Sequence, residues 1–212
     1  MSSQLKKSAK EALSGRWGFT ILMFVLFSVL QSIPGSFASD TNDSFTAGDG
    51  VAFILMIVAL PLSVGWTWIT MSIARKEQTK VTDLFEPYKM FLKVVGLTIV
   101  RSLLLVLWFM LLIVPGIIKS FSYMLTFYIL RDEPSIGILD AITRSRQMMD
   151  GHKMEAFLLI LSFIGWFLLG VITIGIGFLW IIPYFSVTLA KFYDRIRGEE
   201  APVEQSTFVA PY

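Results

Sequence analysis

The sequence predicts an all-α fold: a polytopic membrane helix bundle of about six transmembrane helices in three hairpins, with cytoplasmic interfacial amphipathic helices between them. Three runs of apolar text predict it. Ala156 to Ala190 contains no Asp, Glu, Lys, Arg or His, and neither does Val51 to Ala74. Val94 to Leu130 is interrupted only by Arg101 and Lys119. A water-soluble fold of 212 residues cannot bury that much uninterrupted apolar chain, so lipid is the solvent for most of this surface. Composition agrees: 16% of residues are charged and mean hydropathy is +0.68, against about 25% charged in soluble domains.

A hydrocarbon core about 30 Å thick needs about 20 helical residues to cross it. The first span, about 17–33, is of minimal length, and the second, about 51–74, is comfortable. Residues 94–130 are too long for one helix; Pro115-Gly116 breaks them into spans of about 94–114 and 116–130. The run 156–190 is too long as well, and Gly170, Gly175 and Gly177 mark a turn between spans of about 156–172 and 176–192. Pro183 falls inside the last, where neighbouring groups in a bundle satisfy the freed carbonyl. Residues 1–197 form a single membrane domain and 198–212 a short, disordered cytoplasmic tail.

All lysines and arginines except Arg101 and Lys119 fall on one side of a six-span threading, whereas the loop Pro34–Gly50 holds Asp40, Asp43 and Asp49 and no base. The positive-inside rule assigns the basic side, and with it both termini, to the cytoplasm. A cleaved signal peptide is the competing reading of the N-terminus, with Ser36-Phe37-Ala38 as its cleavage site; the apolar run Trp17–Ile33 exceeds the usual roughly 7–15 residues, so the first span is read as retained. Each hairpin follows a short amphipathic segment. Leu5, Ala9, Ala12 and Leu13 make the first apolar stripe; Val81, Leu84, Phe85 and Tyr88 the second, broken by Pro87. Ile138, Ala141, Ile142, Ser145 and Met149 make the third. Such segments lie in the headgroup plane with their bases reaching anionic lipid.

Arg101 is the sharpest candidate for a functional side chain, because a charge near mid-span faces a bundle interior or a water-filled cavity. Lys119 follows Pro115-Gly116 and reads as an interfacial lysine at the outer turn. Arg144, Arg146 and Lys153 lie between spans four and five, where they would meet anionic headgroups. His152, the sole histidine, stands three residues before Glu155, an arrangement open to acid–base work or simply to solvation. No Asp, Glu or His lies inside a span, which disfavours ion-coupled transport. Cysteine is absent, and one histidine cannot assemble a zinc site, so no metal and no cofactor is expected. The net charge of +2 and the lack of a basic block exclude nucleic acid as a partner.

A set of short strings carries a family resemblance: Pro115-Gly116-Ile117-Ile118-Lys119, Tyr128-Ile129-Leu130, Ser145-Arg146, Met148-Met149, Gly151-His152-Lys153, Leu161 to Trp166, and Pro183-Tyr184. Together with Lys7 to Lys10, Leu13, Gly15 and Trp17, they resemble an uncharacterised bacterial integral-membrane family, domain of unknown function 975. That family is distantly similar to the membrane domain of glycerophosphodiester phosphodiesterases. The resemblance implies a multi-pass protein of the bacterial plasma membrane and brings no catalytic residue with it. The expected function is non-catalytic: binding of membrane lipids through anionic headgroups, or of a protein partner or second copy, in envelope maintenance. The alternative is a small permease or lipid-translocating protein with a cavity near Arg101, and a membrane enzyme using His152 and Glu155 ranks third.

Overall fold

The computed structural model describes residues 2–38 and 46–200. Asp40 and Asp43 of the acidic loop, and residues 201–212 of the expected tail, lie outside the described residues, whereas residues 198–200 of that tail are helical. Among the described residues the regular elements are all helical. They are α1 (Ser2–Leu13), α2 (Trp17–Ser32), α3 (Ala47–Ala74), α4 (Phe91–Leu111), α5 (Ile113–Ser122), α6 (Thr126–Asp132), α7 (Ile138–Met148), α8 (Lys153–Leu161), α9 (Ile164–Ile172) and α10 (Phe178–Glu200), with 3-10 stretches at Pro34–Phe37 and Val81–Met90.

Among the described residues, five stretches are long and apolar enough to cross a membrane: Trp17–Phe37, Ala47–Ala74, Val81–Leu111, Ile113–Asp132 and Lys153–Ile172. The expected sixth span lies in α10, whose second half carries Lys191, Asp194 and Arg195. Side-chain exposure runs the same way. Leu92 (83%), Met110 (81%), Ile172 (75%) and Ile174 (93%) project outward, and the apolar belt around them is far larger than the patches soluble monomers tolerate.

Helix ends differ from the sequence reading for local reasons. α3 begins four residues early because Thr46 and Asp49 form a capping box, the Asp49 amide donating to Thr46 Oγ1 and the Thr46 amide to Asp49 Oδ2. The break in 94–130 falls at Leu112, which is extended, rather than at Pro115. Pro115 then stands in the first turn of α5, where its missing N–H has no intrahelical partner to lose. The turn after α9 closes as a Schellman motif: Gly175 N–H bonds Gly170 O, Ile174 N–H bonds Val171 O, and Ile174 takes the left-handed conformation at φ +55°.

The amphipathic stripes correct the sequence reading more strongly. Their apolar faces pack on protein. Leu5, Ala9, Ala12 and Leu13 are buried against the core that α1 shares with α3, α8 and α10. Ala141, Ile142, Ser145 and Met148 are buried against α4, α5 and α6. Both helices also repair breaks in candidate spans. Between α8 and α9, Lys6 Nζ donates to Ser162 O at 2.7 Å, and burial pushes that ammonium's pKa below its ordinary value. Between α5 and α6, the Ser145 hydroxyl accepts from the Leu125 amide at 3.2 Å and donates to Ser122 O at 2.8 Å. A broken helix inside a bilayer needs such partners for its orphaned amides and carbonyls. The apolar stripe brings each helix in, and one polar residue on it does the capping.

The second stripe fails for a geometric reason. Val81–Met90 is 3-10, with three residues per turn, so Leu84 and Pro87 align and are buried while Phe85 is exposed; Val81, on the same face, is exposed at the first position of the stretch. Gly65 of α3 permits this contact, since a Cβ there would stand 2.0 Å from Leu84 O. Gly65→Ala is expected to destabilise by about 1–3 kcal/mol through overpacking of backbone on backbone. Thermal unfolding in detergent measures it, and an unchanged midpoint would show that the 3-10 stretch yields freely.

The core is organised around α3, which runs parallel to α6 and α10. Trp66 Nε1 donates to Ser186 Oγ at 3.2 Å, and nine residues later Arg75 meets Asp194. Trp68 Nε1 donates to Phe127 O at 3.0 Å, and Arg75 also meets Asp132. Three helices thus end together on one charged cluster.

Candidate functional site

Lys119, Arg146 and Lys153 converge on a polar cleft of about 290 Å³, completed by Ser122, Thr143, Gln147 and Asp150. The sequence sets Lys119 apart from the other two, at the outer turn; the structure joins them because α7 packs along α5 and α6 with Ser145 plugging their break. That contact aligns the outward face of α7, with Thr143, Arg146 and Gln147, beside Lys119 of α5. Gly151, at φ +78°, then turns the chain so that Lys153 at the start of α8 returns to the same cleft. A side chain at 151 would be strained in that conformation.

The cleft is electropositive. Asp150 is its one carboxylate, 3.5 Å from Lys153 and 84% exposed, so it offsets little of three cations. Lys119 is steadied by the Trp108 ring, whose centroid lies 4.7 Å from Nζ. Lysine and arginine ammonium and guanidinium groups flanked by hydroxyl and amide side chains suit a phosphate or other multi-oxygen anion.

The remaining predicted residues go elsewhere. Arg144 points away from the cleft toward Glu133, at 3.5 Å. His152 Nδ1 lies 3.3 Å from Glu155 Oε2, and the same carboxylate oxygen accepts from Arg195. Glu155 is therefore committed to an ion pair joining α8 to α10. Arg101 packs over the Phe127 ring at 5.1 Å, its Nε buried and without a hydrogen-bond partner.

Sequence reasoning missed the charged cluster at the ends of α3, α6 and α10. Arg75 forks onto Asp132, with Nη1 to Oδ1 at 2.8 Å and Nη2 to Oδ2 at 2.9 Å, and also reaches Asp194 Oδ1 at 2.7 Å. Tyr193 OH and Arg197 Nη1 both donate to Asp132 Oδ2, at 2.9 and 2.7 Å. The hydrogen bonds to Asp132, and then the contacts with Asp194, hold the Arg75 pKa above even its ordinary value against the opposing effect of burial. Burial first, and the Asp132 charge second, push the Tyr193 hydroxyl's pKa up. A signal was present: Arg75, Asp132 and Asp194 each follow shortly after a charge-poor run. Nothing in the spacing says that they meet.

Helix length and composition thus define a multi-pass α-helical membrane protein with a basic cleft. Its residues 109–200 match the family model described as Protein of unknown function (DUF975), a stretch from late α4 to the end of α10 that includes the whole cleft. No curated protein and no solved structure matches the chain.

Proposed function

We propose that this protein is a non-catalytic component of the bacterial plasma membrane, both termini cytoplasmic, that binds the phosphate of an anionic lipid headgroup in the Lys119–Arg146–Lys153 cleft. The observation that carries the reading is the convergence of three cations from α5, α7 and α8 on one cleft whose sole carboxylate is largely exposed. Each base near an anionic membrane surface contributes about 1 kcal/mol. A shaped cleft adds orientation through Ser122, Thr143 and Gln147. The basic loops, inside by the positive-inside rule, support the cytoplasmic assignment, with Lys119 taken to their side by its convergence with Arg146 and Lys153. The permease alternative is weakened by the packing of Arg101 on Phe127, and the enzyme reading by the Arg195 partner of Glu155.

The test is lipid co-purification from native membrane patches, read by mass spectrometry. Arg146→Gln combined with Lys153→Gln is expected to lower retained anionic phospholipid about thirtyfold, the factor that about 2 kcal/mol from two bases implies. Arg144→Gln, which alters an exposed pair outside the cleft, should leave it unchanged. Equal retention in the double variant, or equal loss in Arg144→Gln, would overturn the reading.

A further inference from the structure

A second cavity lies where α1, α2, α9 and α10 meet. It holds about 280 Å³ and is lined by Lys10, Trp17, Trp166, Trp180, Ile181 and Tyr184. Four of its six lining residues are aromatic, and they are braced. Tyr184 donates to Lys6 O at 3.1 Å, packs edge-on against Phe163 at 5.3 Å, and meets Trp166 at 6.4 Å and Trp17 at 6.5 Å. Trp166 and Trp180 are each about half exposed, and they continue into the outward apolar surface of Leu169 and Ile176. The cavity therefore opens on the surface that faces lipid. Its one charged group is exposed Lys10, with which no carboxylate pairs among the described residues.

A single cation beside an apolar aromatic slot matches an amphiphile with a negative head and a hydrocarbon body. Indole and phenol rings favour the boundary between headgroup and chain, and a lysine reaches from that boundary toward phosphate. We infer that this cavity is a binding site for one anionic phospholipid, its phosphate on Lys10 and the upper part of an acyl chain between Trp166, Trp180 and Tyr184. The site shares no residue with the cleft and stands independently of it.

Tryptophan fluorescence tests it. The full chain is reconstituted in phosphatidylcholine vesicles containing a small fraction of lipid with brominated chains, either phosphatidylglycerol or phosphatidylcholine. The emission of the cavity is the part removed by Trp166→Phe with Trp180→Phe. That emission is expected to be quenched by brominated phosphatidylglycerol as though it were enriched about fivefold over brominated phosphatidylcholine, the factor that about 1 kcal/mol from one lysine implies. Lys10→Gln should abolish the preference and Lys10→Arg should keep it. Equal quenching by the two headgroups, or a preference that survives Lys10→Gln, would overturn the inference. A preference lost instead in the Arg146→Gln, Lys153→Gln protein would place the anionic lipid in the cleft alone, overturning this site while sustaining the proposed function.

Discussion

Arg75→Met is expected to cost the fold about 3–5 kcal/mol. The guanidinium bridges α6 and α10 from the end of α3, and its removal strands two carboxylates at once. Asp132 is 8% exposed, so it cannot recover its solvation by turning to water. Tyr193 and Arg197 would still hold one of its oxygens, which places the loss nearer the lower bound than the upper. Asp194, 26% exposed, would lose the Arg75 contact but has more access to solvent. Arg75→Lys keeps the charge and loses the fork that grips both Asp132 oxygens, so it should recover only part of the stability. Unfolding midpoints in mild detergent give the total, and a double-mutant cycle with Asp132→Asn isolates the pair. A coupling below about 0.5 kcal/mol would show that the three helices are held together by their apolar contacts alone.

The expected consequence is geometric as well as energetic. With the cluster broken, the charged ends of α3, α6 and α10 lose their common anchor, while the Trp66–Ser186 and Trp68–Phe127 hydrogen bonds further along remain. Loosening should therefore begin at that end. Hydrogen exchange at residues 70–75 and 190–197 would rise before exchange at 60–68 does.

The fold class was legible in the sequence because lipid imposes a period-free, charge-free text over about 20 residues, which a water-exposed helix face does not tolerate. Breaks were legible where glycine or proline forced them, as at Gly175. They were not legible at Tyr123–Leu125 or Ser162–Phe163, where the chain carries no strong breaker and the gap is held by Ser145 or Lys6 from a distant helix. A long-range cap leaves no local trace. The amphipathic stripes were visible, but periodicity reports only that a face is buried, not whether lipid or protein covers it. For α1 and α7 the answer is protein. The cleft was half legible: Arg146 and Lys153 stood out as bases near a span, whereas Lys119 joins them only through the packing of α7. The Arg75 cluster shows the same limit, since its members are 57 and 119 residues apart.

Arg101→Leu is expected to act in the opposite direction to Arg75→Met and to raise stability by about 3 kcal/mol, the difference between the two side chains near the centre of a transmembrane helix. The two arginines resemble each other in sequence, each next to apolar text, and differ in what meets them. Arg75 has two carboxylates; Arg101 has the face of Phe127 at 5.1 Å and an Nε without a partner. A cation over a ring gains about 0.5–2 kcal/mol, too little to match the desolvation of a guanidinium on a helix whose neighbours Leu103 and Val106 face outward. Leucine at 101 removes that deficit and retains the packing on Phe127. Detergent unfolding of the parent and the variant measures the sign, and the same comparison in phosphatidylglycerol-containing bilayers tells whether lipid phosphate supplies the missing partner. A gain in detergent that vanishes in the bilayer would mean that Arg101 reaches a headgroup in the membrane. A loss in both media would mean that the guanidinium has a protein partner and that its charge stabilises α4 where it stands.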